Sequence, residues 1–181
     1  MKIEGTYTIA AGRERVFALL LDGAVLRRCV PGCKELTRQA DDRFDATLEV
    51  GVGSVKGVYT GTLTIAEKVA PERLAMAVSG KGKAGFVNGK GTLRLEPIEE
   101  AGASATRIVY EGDVQIGGTI ATVGQRMLSG AAAMMTGQFF AAIDAEAKAA
   151  AAEAPPPRQG ALVNLFRWLW ALVRGLVGRG G

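Results

Sequence analysis

With 181 residues the chain is long enough for one domain with a sizeable core and an added segment. Its 48% apolar and 22% charged residues fit a globular protein, and its net charge of +4 comes entirely from Arg158, Arg167, Arg174 and Arg179 near the C-terminus. The first 153 residues are therefore neutral, which removes the basis for nucleic-acid binding by the body, and the absence of histidine excludes Ser-His-Asp and Cys-His catalysis.

Residues 2–10 alternate polar and apolar, as a strand does and a signal peptide does not. In 12–21, Val16, Phe17 and Leu20 recur at helical spacing. Asp22 can cap a second short helix through Val25, Leu26 and Cys29, stopped by Pro31-Gly32. Strands are expected over 34–40, 43–52, 54–68, 73–82, 86–97 and 104–117. Turn signals at Asp41-Asp42, Ala70-Pro71 and Ala101-Gly102 separate them, and Asn88-Gly89 offers a competing hairpin. A long helix is expected from about Thr119 to Ala152, with Ile120, Val123, Met127, Ala131, Met134, Gln138, Phe139 and Ala142 at steps of three and four.

Alternation places Phe44, Tyr59, Leu63, Ile65, Leu74, Val87, Leu93, Ile108 and Val114 on one face, with charged and hydroxyl side chains on the other. Gly57, Gly61, Gly80, Gly89, Gly91 and Gly112 also fall on the apolar face, where glycine packs nothing. Either the long helix approaches closely there, or side-chain volume is missing and a cavity results. Flexible methionines on the helix favour the cavity. Its expected lining is Tyr59, Gly61, Val87, Gly91, Val114, Met127, Met134 and Phe139.

Residues 153–160 read as an alanine- and proline-rich linker, extended through Pro155-Pro156-Pro157. Residues 161–178 read as an amphipathic helix that lies on a membrane surface. Leu165, Phe166, Leu169, Leu172, Val173 and Leu176 share its apolar face, with Arg167 and Arg174 opposite and Trp168 and Trp170 on the borders. The arginines and the short apolar run argue against a spanning helix. Docking on the domain itself or on a partner protein is the competing use of that face.

Several motifs carry less than they suggest. Gly80-x-Gly82-x-x-Gly85 fits a dinucleotide pattern, but strand follows where the motif needs a helix. Cys29 and Cys33 lack the further ligands that zinc requires, no metal site is expected, and both thiols read as small apolar groups. The carboxylate pairs Asp41/Asp42 and Glu99/Glu100 fall in turns, and Glu111 and Asp113 fall on the outward face, so no catalytic set is expected.

Four segments together resemble the G-subunit family of carbon monoxide dehydrogenase. They are Cys29–Cys33 (CVPGC), Gly51–Gly57 (GVGSVKG), Gly80–Gly91 (GKGKAGFVNGKG), and Asp113–Gly118 (DVQIGG) leading into Gly124-Gln125-Arg126. The resemblance covers roughly residues 1–148 and implies an α+β START-like (SRPBCC) helix-grip fold, a curved antiparallel sheet wrapped around a long C-terminal helix. On that reading residues 1–152 form the ligand-binding domain. It further implies a noncatalytic adaptor with no covalent cofactor that binds a quinone or another apolar small molecule. The partner so implied is a molybdenum-containing carbon monoxide dehydrogenase-type enzyme, recruited to the inner face of the cell membrane from the cytoplasm and linked there to the quinone pool. The alternative in the same fold is a polyketide cyclase/aromatase-like enzyme or a generic lipid-transfer protein, against which, for the enzyme, stands the lack of histidine and of a pocket-facing acid.

Overall fold

The computed structural model describes residues 1–153. The order is β1 (Lys2–Ile9), α1 (Arg13–Leu19), α2 (Gly23–Cys29), β2 (Cys33–Ala40), β3 (Arg43–Val52), β4 (Val55–Val69), β5 (Arg73–Gly82), β6 (Gly85–Glu100), β7 (Ala103–Gly117), a 3₁₀ turn (Thr119–Val123) and α3 (Gln125–Glu153). The expected order of one strand, two short helices, six strands and a long helix is what forms. The linker (153–160) and amphipathic helix (161–178) read from the sequence lie, but for Glu153, outside the described residues.

All seven strands make one curved antiparallel sheet in the order β1-β7-β6-β5-β4-β3-β2. β2 to β7 form a continuous meander, and β1 closes the far side by pairing Lys2 with Asp113 through to Ile9 with Thr106. Register shifts between Cys33 and Glu35, between Arg38 and Ala40, and between Ile65 and Glu67 interrupt the ladders. Each such shift is a place where an antiparallel strand bends and its twist increases.

Asp22 caps α2 as its sequence suggests. Its Oδ1 accepts hydrogen bonds from the backbone N–H of Ala24 (2.8 Å) and Val25 (3.2 Å). Asn88-Gly89 makes no hairpin. It lies inside β6, where Asn88 pairs with Ser79 and Gln115, and the chain turns instead between Gly82 and Gly85. Gly85 has φ +133° there, and a Cβ would strike the Gly117 carbonyl, so glycine chemistry fixes the turn at residues 83–84, ahead of the Asn-Gly signal. The long helix likewise begins at Gln125 and not near Thr119. Gly124 at φ +90° ends the 3₁₀ turn and redirects the chain before α3 starts.

One end of the inner face is solidly packed. Ile9, Val16, Phe44, Leu74, Ile108 and Ile143 are all 0–1% exposed and belong to one cluster with Phe140 and Ala147 of α3. Phe140 stacks on Tyr7 at 5.5 Å between ring centroids and meets Tyr110 at 5.3 Å and Phe139 at 5.2 Å. Polar ties secure the same end of α3. Asp144 Oδ1 accepts from the Ala10 N–H at 2.9 Å, and Arg28 of α2 donates to both Glu146 carboxylate oxygens at 2.7 Å. That guanidinium fork holds the Glu146 carboxyl below the usual carboxylate range.

Candidate functional site: an apolar cleft under the first half of the long helix

The N-terminal half of α3 is held differently. Among its side chains only Leu128 is buried, in a second, small cluster with Tyr59 and Ile120. Val50, Val52, Val55, Ala84, Ile116 and Val123 pack around that cluster. The two clusters occupy opposite ends of the same sheet face. Between them each central strand carries glycine or a small side chain: Ala46 on β3, Gly61 on β4, Val78 and Gly80 on β5, Gly89 and Gly91 on β6, Gly112 and Val114 on β7.

These glycines do different things. Gly57 and Gly82 admit the Tyr59 ring: a Cβ would stand 3.5 Å from its Cε2 at Gly57 and 3.0 Å from its Cδ1 at Gly82. Gly61 lies so close to β5 that a Cβ would strike the Ser79 carbonyl oxygen and sit 2.7 Å from the Gly80 Cα. Gly91 and Gly112 face each other across β6 and β7, and a Cβ would meet backbone at 3.0 Å and 2.9 Å. At these three positions the glycine serves close approach of strands, contrary to the expectation that Gly61 and Gly91 leave room for a ligand. Gly80 is the open one. A Cβ there meets only two carbonyl oxygens, both at 3.9 Å, and no side chain. Beside it Val78, an inner-face residue paired with Leu63 and Gly89, is 39% exposed. An apolar inner face therefore stays uncovered where α3 passes over it.

Of the expected lining residues, Tyr59, Gly61, Val87, Gly91 and Val114 all lie on this face, and Phe139 lies half-buried beside Phe140. Met127 and Met134 are not among the buried residues of α3: they are 50% and 57% exposed, and Met127 reaches instead to the turn between β3 and β4, where a Cβ at Gly53 would stand 2.9 Å from its Cε. The inward row runs through Leu128, Ala132, Met135, Phe139 and Ile143, which are buried or half-buried. The spacing pattern that starts at Met127 is one residue, or 100°, out of phase with it. Counting back in steps of three and four from Ile143 gives the correct row. Val78 and Gly80 lie on the expected face but outside the expected lining, because sequence alternation shows which way a side chain points and not what covers it.

Away from the cleft the surroundings are polar or structural. Thr60, Thr62, Ser79, Lys81 and Asn88 line a groove on the outer face, with the Thr62 and Ser79 hydroxyls 2.9 Å apart. Asp42 pairs with Lys68, and Glu111 accepts from Thr92 at 3.3 Å. Cys29 and Cys33 are free thiols, the first buried, and burial pushes both above the ordinary thiol range, which disfavours a reactive thiolate. Among the described residues no group of three or more metal-binding side chains comes together, and no helix is long and apolar enough to cross a membrane.

A curved antiparallel sheet gripping a long C-terminal helix, with apolar surface left open between them, defines the START-like (SRPBCC) class of folds. Within that class the chain belongs to the CoxG family, the carbon monoxide dehydrogenase G-subunit family, whose model matches residues 5–148. A conserved protein from Geobacillus kaustophilus is similar at 32% identity and TM-score 0.77, over 82% of this chain and 95% of that one. The Zhui aromatase/cyclase from Streptomyces sp. R1128 has the same fold at 16% identity and TM-score 0.62, over 82% and 93% of the two chains. So does a START superfamily protein from Mycobacterium smegmatis at 13% identity and TM-score 0.61, over 81% and 97%. No curated protein matches the chain. Family and fold together suggest a ligand-binding role.

Proposed function

We propose that this protein is a noncatalytic carrier and membrane adaptor. Its cleft holds a quinone or another apolar lipid, and its C-terminal segment brings a molybdenum-containing carbon monoxide dehydrogenase-type partner to the inner face of the membrane. The observation that carries the carrier reading is the uncovered inner face at Val78 and Gly80, apolar surface on the concave side of a sheet that a helix spans without filling. The partner enzyme follows from the family and the membrane role from the sequence of residues 161–178. The lack of histidine supports binding over catalysis.

Native mass spectrometry of the full chain, purified from its own membranes, tests the carrier reading. The expected result is an added mass matching a quinone or lipid that organic solvent extracts. A protein that is always empty, and that takes up no apolar probe in solution, would remove this reading.

Membrane attachment has its own experiment. A chain ending at residue 154 should stay folded, because every buried residue of the two clusters precedes it, and should no longer float with anionic liposomes. The full chain should float, less so as salt rises, since attraction between Arg167, Arg174 and anionic lipid is screened over roughly 8–10 Å. Equal flotation of both forms would place attachment elsewhere.

A further inference from the structure

Tyr59 is 5% exposed, and its hydroxyl has no hydrogen-bond partner among the described residues. Buried tyrosine hydroxyls ordinarily find one, because leaving the group dry and unpaired costs free energy that phenylalanine in the same place would not incur. The side chains packed with it in the hydrophobic cluster offer no acceptor. Ile120 and Leu128 cover the ring, and Val50, Val52, Val55 and Ile116 pack beside it. The ring fills the space that the missing side chains of Gly57 and Gly82 leave, and its hydroxyl oxygen is buried. One step along the sheet, Gly80 opens the cleft, while its cross-strand partner Gly61 is closed by the β5 backbone.

We infer that Tyr59 is the specificity-determining hydrogen-bond donor of the cleft: it selects, among apolar ligands, those that carry a carbonyl oxygen, and it fixes that end beneath the start of α3. This rests on the carrier reading and adds to it the chemistry of the ligand's polar end. A neutral phenol offers one O–H, and the apolar side chains around it favour an uncharged acceptor, a ketone- or quinone-type oxygen, over a carboxylate or phosphate; the one charge in that cluster, the Met1 α-ammonium, is held by the Val114 carbonyl. The rest of the ligand lies over Gly80 and Val78 as hydrocarbon.

Equilibrium dialysis of the full chain against 9-fluorenone and fluorene tests this, because the two rigid probes differ essentially in one carbonyl. The wild-type protein should bind fluorenone about five- to tenfold more tightly, the effect of one hydrogen bond of ordinary net strength. Tyr59→Phe should erase that preference and leave fluorene binding unchanged. The same variant, without ligand, should melt at or above the wild-type temperature, since it loses only an unpaired hydroxyl. Binding of both probes with a preference that survives Tyr59→Phe would overturn the role of Tyr59 and leave the carrier reading intact. Binding of neither probe would overturn both. A clear fall in the ligand-free melting temperature would show that the hydroxyl serves the fold, and would also overturn the assignment.

Discussion

Replacing Gly80 by valine should leave the protein folded, with a melting temperature within a few degrees of wild type, and should abolish fluorene binding. The same replacement at its cross-strand partner Gly61 should destabilise the fold outright. The two residues face each other across β4 and β5, so composition, strand propensity and position differ little between them. What differs is the space at the Cβ. At Gly80 the nearest atoms stand at 3.9 Å, and the added methyl groups would project into the cleft. At Gly61 the Cβ would strike the Ser79 carbonyl, which is backbone and cannot rotate aside. Overpacking of this kind costs about 1–3 kcal/mol and more where backbone must move. Thermal melts of both variants, with fluorene dialysis of Gly80→Val, decide the matter. A Gly80→Val protein that binds fluorene as wild type would mean the cleft lies elsewhere.

The second large effect is expected at Phe140. It is 2% exposed and touches rings from β1, β7 and its own helix, so it joins both sides of the sheet's closure to α3. Truncating a buried phenylalanine to alanine costs about 3–5 kcal/mol. For a domain of this size that is a fall of roughly 6–20 °C in melting temperature. Met134→Ala, six residues earlier on α3, removes a side chain that is 57% exposed and should change the melting temperature by little. Equal falls for the two variants would contradict the inward row assigned to the helix.

The fold is largely legible in the sequence because period-two alternation is a strong signal over long strands. β3 and β5 begin and end where the alternation puts them, at 43–52 and 73–82. Turns governed by glycine geometry are less legible. Asn88-Gly89 carries the stronger local hairpin signal, yet Gly89 is used inside a strand, where a Cβ would stand 3.0 Å from the Val78 Cγ2. The helix phase is hidden for a different reason. Residues 125–153 are so rich in alanine, glycine and methionine that every face is weakly apolar, and the spacing alone selects no row. The glycines show the deepest limit. Gly57, Gly61 and Gly80 lie on one face of adjacent strands, but one seats a ring, one admits a neighbouring backbone and one leaves space. That distinction depends on interatomic distances that no one-dimensional pattern contains.

The placement of β1 bears on how the chain comes together as it is made. Each neighbour pair from β2 through β7 is joined by a short turn, so that meander can zip up locally, hairpin by hairpin. β1 is made first, yet its partner is β7, with Met1 and Val114 in backbone contact at the edge. During synthesis the N-terminal strand therefore has no ladder to join until more than a hundred further residues have left the ribosome. Its closure is the slow, high-contact-order step, and until then Tyr7 and Ile9 are exposed apolar groups that invite capture by chaperones.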